Sequence, residues 1–447
     1  MADSEKKINE LFMKDGYEVT SSARGYRVDR LLCQVFDDWS RKDVSLLIKN
    51  SGVKVNGESV RKGSKRLKNR DIVLIDQKVF EKVKKTVEKA RDAKEFTYYG
   101  DEKTIEPENL PLEIVYEENE FIVVNKPAGM VVHPAYKNPS GTLVNAVAGY
   151  FKRNKIQLPR RVGLVHRIDK DVSGLLIIAK DDHSLSALSS QFSGVGITGP
   201  GIDVSMKARK LYWAVIKPES SSQLESIGLL KKGAKMDTIT VEGYIRRSRA
   251  DRRVSEFNIG RPFLDASIKG SRSRANDANG AANKGRYCLS FMKLVSKLPK
   301  GEWLIEVEII TGRTHQIRSQ LSSLGIPVVG DKMYGGKENR HNDISMHGIA
   351  LRSVALDIIP PGVYKECIKE RKLAMLLAGK DKKSVDDGAI NGKAEKKIHE
   401  KPYCNGRIVS QRATRGLECD KFIKKYKSID REGIEIDRIC IANFVIP

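Results

Sequence analysis

The chain has 447 residues, 40% of them hydrophobic, and a formal net charge of +24, which is enough apolar chain for two or three globular units and a basic excess that points to a polyanion, nucleic acid first. Composition argues against a disulfide scaffold and a zinc site, because the six cysteines (Cys33, Cys288, Cys367, Cys404, Cys419 and Cys440) show no CxxC spacing. Neither the start MADSEKKINELF nor any later stretch has the apolar run of a signal peptide or a bilayer span, so a soluble chain in the reducing cytoplasm, without membrane contact, is expected.

Residues 24–76 read as one small unit. Val28, Leu31, Leu32, Val35 and Phe36 recur at the spacing of an amphipathic helix, and Ser40 stands three before Asp43 in capping-box spacing at the start of a second helix. Val53-Lys54-Val55 followed by Asn56-Gly57 predicts a hairpin, and Ile72 to Ile75 a closing strand. Arg61 to Arg70 carries basic residues and no acid, a strip suited to a phosphate backbone. Arg41, Lys42, Arg61, Lys62, Lys65 and Arg66 are therefore the candidate nucleic-acid contacts here. Residues 77–109 are charged and poorly patterned, a linker with a helical part around Glu81 to Lys94. A large domain is expected over 110–369, and 370–447 reads as a charged, partly disordered extension with some periodicity from Pro402 onward.

Within the large domain, Val162 to Val165 and Leu175 to Ala179 read as buried strands on either side of the loop His166-Arg167-Ile168-Asp169-Lys170-Asp171. Rigid supports on both sides equip such a loop to position a carboxylate. Further on, Trp303, Ile305, Val307 and Ile309 alternate with Leu304, Glu306 and Glu308, predicting a half-buried strand. Ile317, Leu321 and Leu324 then mark a helix capped by Gly325. Arg313 and Arg318 fall near the start of that helix, where either could pair with a carboxylate or hold a phosphate. His133, His315 and His347 are too widely spaced for a metal site, and Lys126-Pro127-Ala128-Gly129 reads as a turn after the strand Phe121 to Asn125.

The loop His166 to Asp169, together with Tyr116 to Pro134, Lys210 to Val215 and Thr311 to Gly336 in the same order, resembles the RluA-type pseudouridine synthases, closest to the RluD kind, with Ile168 where the motif has Leu. Arg27-Val28-Asp29-Arg30-Leu31, Ser40-Arg41, Gly52 to Gly57 and Asn69-Arg70-Asp71 resemble the S4-like RNA-binding module. The resemblance implies an α+β chain, an S4-like module followed by a catalytic domain on a mixed, mainly antiparallel sheet with a cleft across its middle. It implies an isomerase that breaks the N-glycosidic bond of uridine and rejoins C5 to the ribose, without metal or other cofactor, acting as a monomer on large-subunit ribosomal RNA or a pre-ribosomal particle. Residue by residue, it gives Asp169 as the catalytic carboxylate, Tyr212 as the aromatic that stacks on the target base and Arg318 as the active-site arginine. It further implies that Arg167 enters the space left by the flipped base, and it leaves Arg313 to contact RNA or to support the loop.

Two stretches depart from the family pattern, the insertion SGVGITGPGIDVSMKAR before Lys210 and residues Asn258 to Ala282. They leave open a second class of function, an S4-bearing RNA-binding or ribosome-assembly protein whose isomerase site has decayed. The intact Asp169, Tyr212 and Arg318 argue against it.

Overall fold

The computed structural model describes residues 11–19, 26–36, 39, 41–92, 105–135, 138–192, 207–231, 235–248, 250–260, 285–336, 348–364, 420–429 and 435–444. Both insertions fall mostly outside these residues (193–206 and 261–284), as do Ser40 and His347. The chain forms two units, Met1–Thr104 with Pro361–Glu400, and Ile105–Pro360 with Lys401–Pro447.

The first unit contains β1 (Tyr17–Glu18), α1 (Val28–Val35), α2 (Arg41–Lys49), β2 (Val53–Val55), β3 (Glu58–Ser59), β4 (Ile72–Ile75) and α3 (Gln77–Asp92), with sheet order β1-β4-β2-β3. The predicted stripe Val28, Leu31, Leu32, Val35 and Phe36 is its buried face. Asn56 and Gly57 take φ of 53° and 81°, the left-handed pair that a two-residue hairpin turn needs. The Asn56 amide donates to Asp71 Oδ1 at 2.9 Å and accepts from Ile72 N at 2.7 Å, while Asp71 Oδ2 accepts from Lys68 N at 2.7 Å. With Leu67 buried, these bonds fix the ends of a loop on which Arg61, Lys62 and Arg66 are exposed and Lys65 is half-buried. Lys42 is exposed on α2, and the Arg41 side chain lies outside the described residues.

The expected linker 77–109 begins instead with α3, which belongs to this unit's core. Phe80, Val83 and Val87, at i, i+3 and i+7, are buried in it, and Phe80 stacks on Trp39 at 4.6 Å between centroids. The high density of lysine around these three residues hid the stripe.

The second unit runs through β5 (Glu113–Glu117), β6 (Phe121–Lys126), α4 (Leu143–Arg153), β7 (Ser173–Ala179), α5 (Asp182–Phe192), β8 (Arg209–Ile216), α6 (Ser221–Ser226), β9 (Leu230–Lys231), β10 (Lys235–Met236), β11 (Thr238–Arg247), β12 (Ser255–Ile259), β13 (Arg286–Lys297), β14 (Trp303–Ile309), α7 (Gln316–Ser323), β15 (Leu351–Ile358), β16 (Asp420–Ile429) and β17 (Glu435–Phe444). The main sheet has the order β12-β11-β13-β14-β8-β15-β7-β6-β5, with β17 added to β15 and β16 to β17. Its pairings are antiparallel except β7 with β15. The architecture is the α+β one anticipated.

That parallel contact is very close. A Cβ on Gly174 would lie 2.2 Å from the Ser353 carbonyl oxygen, and Gly174 has φ +111°, so only glycine lets β7 approach β15 here. Beyond Gly174 the two strands part. The rest of β15 pairs with β17, from Ala355 with Ala442 to Ile358 with Ile439.

Two expectations change in this unit. Val162 to Val165 is not a strand: Arg160–Gly163 forms a 3-10 turn in which Arg161 and Val162 have φ of 58° and 53°, and Leu164 alone bridges to Ile178. The N–H of Ile177, which a pairing strand would have bound through its backbone, goes to the ring of His166 instead. The extension also ends in structure, because β17 buries Ile439 and Ile441 in one cluster with Phe121, Leu175, Ile177 and Leu356. A buried ion pair, Arg438 Nε to Asp357 Oδ1 at 2.9 Å, holds it on β15. Alternating apolar residues over so short a stretch gave no partner from sequence, since the strand it completes lies some eighty residues earlier.

This integration is testable by stability. Ile441→Ala removes a fully buried side chain and should cost about 2–5 kcal/mol in denaturant unfolding, whereas a dispensable tail would leave the transition unchanged.

Candidate active site

The loop 164–172 is fastened at several points. Leu164 bridges to Ile178, and His166 Nε2 accepts from Ile177 N at 3.2 Å. The carbonyl of Lys170 accepts from Gly129 N and from Lys126 Nζ, both at 2.9 Å. Ile349 N donates to the Asp171 carbonyl at 3.3 Å. Lys126 is fully buried and completes its ammonium with the carbonyls of Pro127 at 2.7 Å and Met130 at 2.9 Å. Burial brings this lysine down to about 8, against the pull of Asp171 and Asp169. A residue read from sequence as part of a turn is therefore a bracket between that turn and the Asp169 loop.

Arg318 approaches the loop from α7. The helix is anchored by a chain of polar contacts: Thr311 Oγ1 to Gln316 Oε1 at 2.8 Å, Gln316 Nε2 to Ser290 Oγ at 2.9 Å, and Ser290 Oγ to Gln320 Oε1 at 2.7 Å. Arg318 is itself 5% exposed, and its guanidinium is divided between two carboxylates. Nε and Nη2 donate to Asp331 Oδ2 and Oδ1 at 2.7 and 2.9 Å, a side-on fork, and Nη1 donates to Asp169 Oδ2 at 3.1 Å. The guanidinium lies over the Tyr334 ring at 5.0 Å. Burial works against the charge, yet Asp331 and Asp169 together hold Arg318 above its ordinary pKa.

His315 is the second group at Asp169, with Nε2 3.7 Å from the same Oδ2. It caps α7 from a left-handed conformation, φ 55° and ψ 26°, a backbone state costing a non-glycine residue about 1–3 kcal/mol. Tyr334 helps to hold it there: its hydroxyl is 3.0 Å from His315 Nδ1 and accepts from Ser255 N at 2.7 Å. Burial lowers the His315 pKa, with Asp169 acting in the opposite direction, which favours a neutral ring. Both neighbours meet Oδ2, so Oδ1 of the partly exposed Asp169 has no donor among the described residues.

Tyr212 lies on β8 opposite Ser353 and Val307. It is 6% exposed. Burial first, and then the nearby charge of Asp169, raise its hydroxyl well above the usual tyrosine range. The structure thus brings Asp169, Tyr212 and Arg318 together over the adjacent strands β14, β8, β15 and β7. Arg167 is exposed on the same loop. Arg313 is apart from Asp169: its Nε donates to the Tyr287 carbonyl at 3.1 Å, and burial together with the nearby Arg286 lowers its pKa.

Asp331, Tyr334, His315 and Lys126 were not singled out from sequence as site residues. Asp331 and Tyr334 lie in the run DKMYGG, and no local spacing says that its aspartate returns to Arg318. Among the described residues, no three His, Cys, Asp or Glu side chains gather in a metal-binding arrangement.

His166 gives this loop an acid sensitivity. Its ring lies flat on Phe192, 4.3 Å between centroids, and burial, with Lys210 adding to it, lowers its pKa to about 3. Below its ordinary value of 6.5 the unfolded chain takes up a proton that the fold refuses, so this group's contribution falls as pH drops from 6.5 toward 3. At pH 5 the loss amounts to about 2 kcal/mol. His166→Gln, which keeps an acceptor for Ile177 N, should lose less stability than wild type between pH 7 and pH 5, and an equal loss would show that the imidazole is not the acid-sensitive group.

Comparison with known proteins gives a consistent result. The family model described as RNA pseudouridylate synthase matches residues 120–323, which include Asp169, Tyr212 and Arg318. An uncharacterized RNA pseudouridine synthase of Aquifex aeolicus is 31% identical over 315 residues, 70% of this chain and 78% of that protein. Ribosomal large subunit pseudouridine synthase D of Yersinia pestis is 30% identical over 319 residues, 71% and 76% of the two chains. The protein of the same name from Zymomonas mobilis is 30% identical over 341 residues, 76% and 86%. With identity and coverage at this level, and with the loop motif set in a fastened carboxylate–arginine pair, the chain belongs to the RNA pseudouridine synthases, in the RluA-type group that its motifs had suggested.

Proposed function

We propose that this isomerase converts specific uridines of large-subunit ribosomal RNA, free or in a pre-ribosomal particle, working as a cytoplasmic monomer. The observation that carries the reading is the pairing of Arg318 Nη1 with Asp169 Oδ2, which leaves Oδ1 without a donor among the described residues. The names of the Yersinia and Zymomonas relatives support the choice of RNA. In the reaction the C1′–N1 bond breaks, the base turns, C5 joins C1′, and the hydrogen of C5 leaves to solvent while N1 gains a proton. Asp169 supplies the carboxylate for that exchange. Tyr212 packs against the base, and its raised pKa keeps its hydroxyl protonated. A uridine within folded RNA must be extruded to reach them, and Arg167, exposed on the loop, fills the gap.

The unit around residues 24–76 is the docking module in this reading, S4-like in its motifs. Arg61, Lys62, Lys65 and Arg66 project from a loop with fixed ends, and together with Arg41, Lys42 and Arg313 they follow the phosphate backbone. Replacing Arg61, Lys62, Lys65 and Arg66 by Gln should weaken RNA binding and flatten its salt dependence by up to about four units of slope. An unchanged slope would assign the phosphate contacts to the second unit.

The activity itself is tested by tritium release from C5-labelled uridine in ribosomal RNA. Wild type should release tritium, and Asp169→Asn should fold, bind the RNA and release none. Release by that variant at near the wild-type rate would remove Asp169 from the chemistry, whereas RNA binding by a wild type that releases nothing would favour an RNA-binding or assembly protein.

A further inference from the structure

Among the described residues of the second unit, two deeply buried lysines differ in one respect. Lys126 is 0% exposed and gives its three protons to three carbonyls. Lys210 is 4% exposed, yet its ammonium has no hydrogen bond and no carboxylate beside it among the described residues. Its surroundings are an aromatic face and other cations. Nζ lies 5.6 Å above the Phe192 ring, whose face stacks on His166 at 4.3 Å. The Cα of Gly312 turns toward it so closely that an added Cβ would stand 3.4 Å from Nζ. Burial lowers Lys210 to about 8, and the charges of Lys207 and Arg313 act in the same direction. Desolvating a cation is costly unless it is paired, so an ammonium held against other positive groups is poorly accounted for by the fold alone. An incoming anion would supply its missing partner.

Position identifies the anion. Lys210 and Tyr212 are two apart on β8 and alternate together as buried residues, so their side chains leave the same face of the sheet about 7 Å apart. That separation is close to the span from a nucleobase to its own phosphate. We infer that Lys210, with Arg313 beside it, forms a subsite for a backbone phosphodiester next to the target uridine, while Tyr212 meets the base. The inference takes its RNA substrate from the function proposed above. It adds a residue that acts on binding, between the loop held by His166 and the Gly312–Arg313 turn. Phe192 makes the subsite continuous with the catalytic loop, since its ring meets both Lys210 Nζ and the His166 ring.

The test is the affinity of the full-length protein for a transcript of large-subunit ribosomal RNA, measured across salt concentrations. Lys210→Met should keep or raise the melting temperature, because a buried cation with no partner among the described residues has been removed, while RNA binding weakens about tenfold and the salt slope falls by about one. Lys210→Arg should retain most of both. Wild-type affinity and slope in Lys210→Met would overturn the inference, and so would equal losses in the Met and Arg variants. If the Met variant does not fold, the 13Cε resonance of Lys210 in wild type, assigned through Lys210→Arg, should shift when a uridine-containing RNA oligonucleotide is added, and a resonance that stays in place would overturn it. Tritium release by wild type is scored separately. Absent release with the binding loss intact would contradict the isomerase reading and leave the phosphate subsite standing.

Discussion

The guanidinium of Arg318 is the point on which the site's geometry depends. Two of its nitrogens are held by Asp331, which is 1% exposed, and the third is left for Asp169. A single carboxylate–arginine pair in a wet cleft would contribute little. Here the fork to Asp331 fixes the plane of the guanidinium before Asp169 arrives, so less freedom is lost in making the last contact. Tyr334 lies beneath that plane and also holds His315, so one aromatic residue keeps both neighbours of Asp169 Oδ2 in place.

The fold delivers the two partners from opposite directions. Arg318 comes from the helix that leaves β14, and Asp169 from the loop that enters β7; between those strands lie β8, with Tyr212, and β15. Gly174 permits the close parallel contact of β7 and β15, and the carbonyl of Lys170 takes two donors from the turn after β6. Arg161, Val162 and His315, on the segments that carry the two partners, all take positive φ. The loop around Asp169 is thus held by bonds to the carbonyls of Lys170 and Asp171 and by the His166 ring, which leaves the exposed Arg167 side chain clear of the fastening.

Local pattern was sufficient for the elements that depend on neighbours in sequence. The alternation Trp303 to Ile309, the helix through Ile317 and Leu321, and the Asn56-Gly57 hairpin are each set by spacing and turn chemistry within a few residues. The motifs likewise pointed to Asp169, Tyr212 and Arg318, which the fold gathers. What remained hidden was long-range or broke the local rule. Asp331 and Lys126 matter through partners that spacing does not connect. His166 substitutes a ring nitrogen for a strand carbonyl, so an apolar run that reads as a strand ends as a turn. The pairing of β17 with β15 joins residues some eighty positions apart, where no period in the sequence carries information.

The central claim is that Arg318 serves the chemistry by fixing Asp169, not by holding RNA. Single-turnover rate at saturating RNA, measured with affinity for Arg318→Gln, tests it most directly. Losing a charged hydrogen bond of about 1.5–3 kcal/mol should slow the step roughly 10- to 150-fold while affinity stays close to wild type. A variant that binds RNA much more weakly yet turns over at the wild-type rate once saturated would contradict the account.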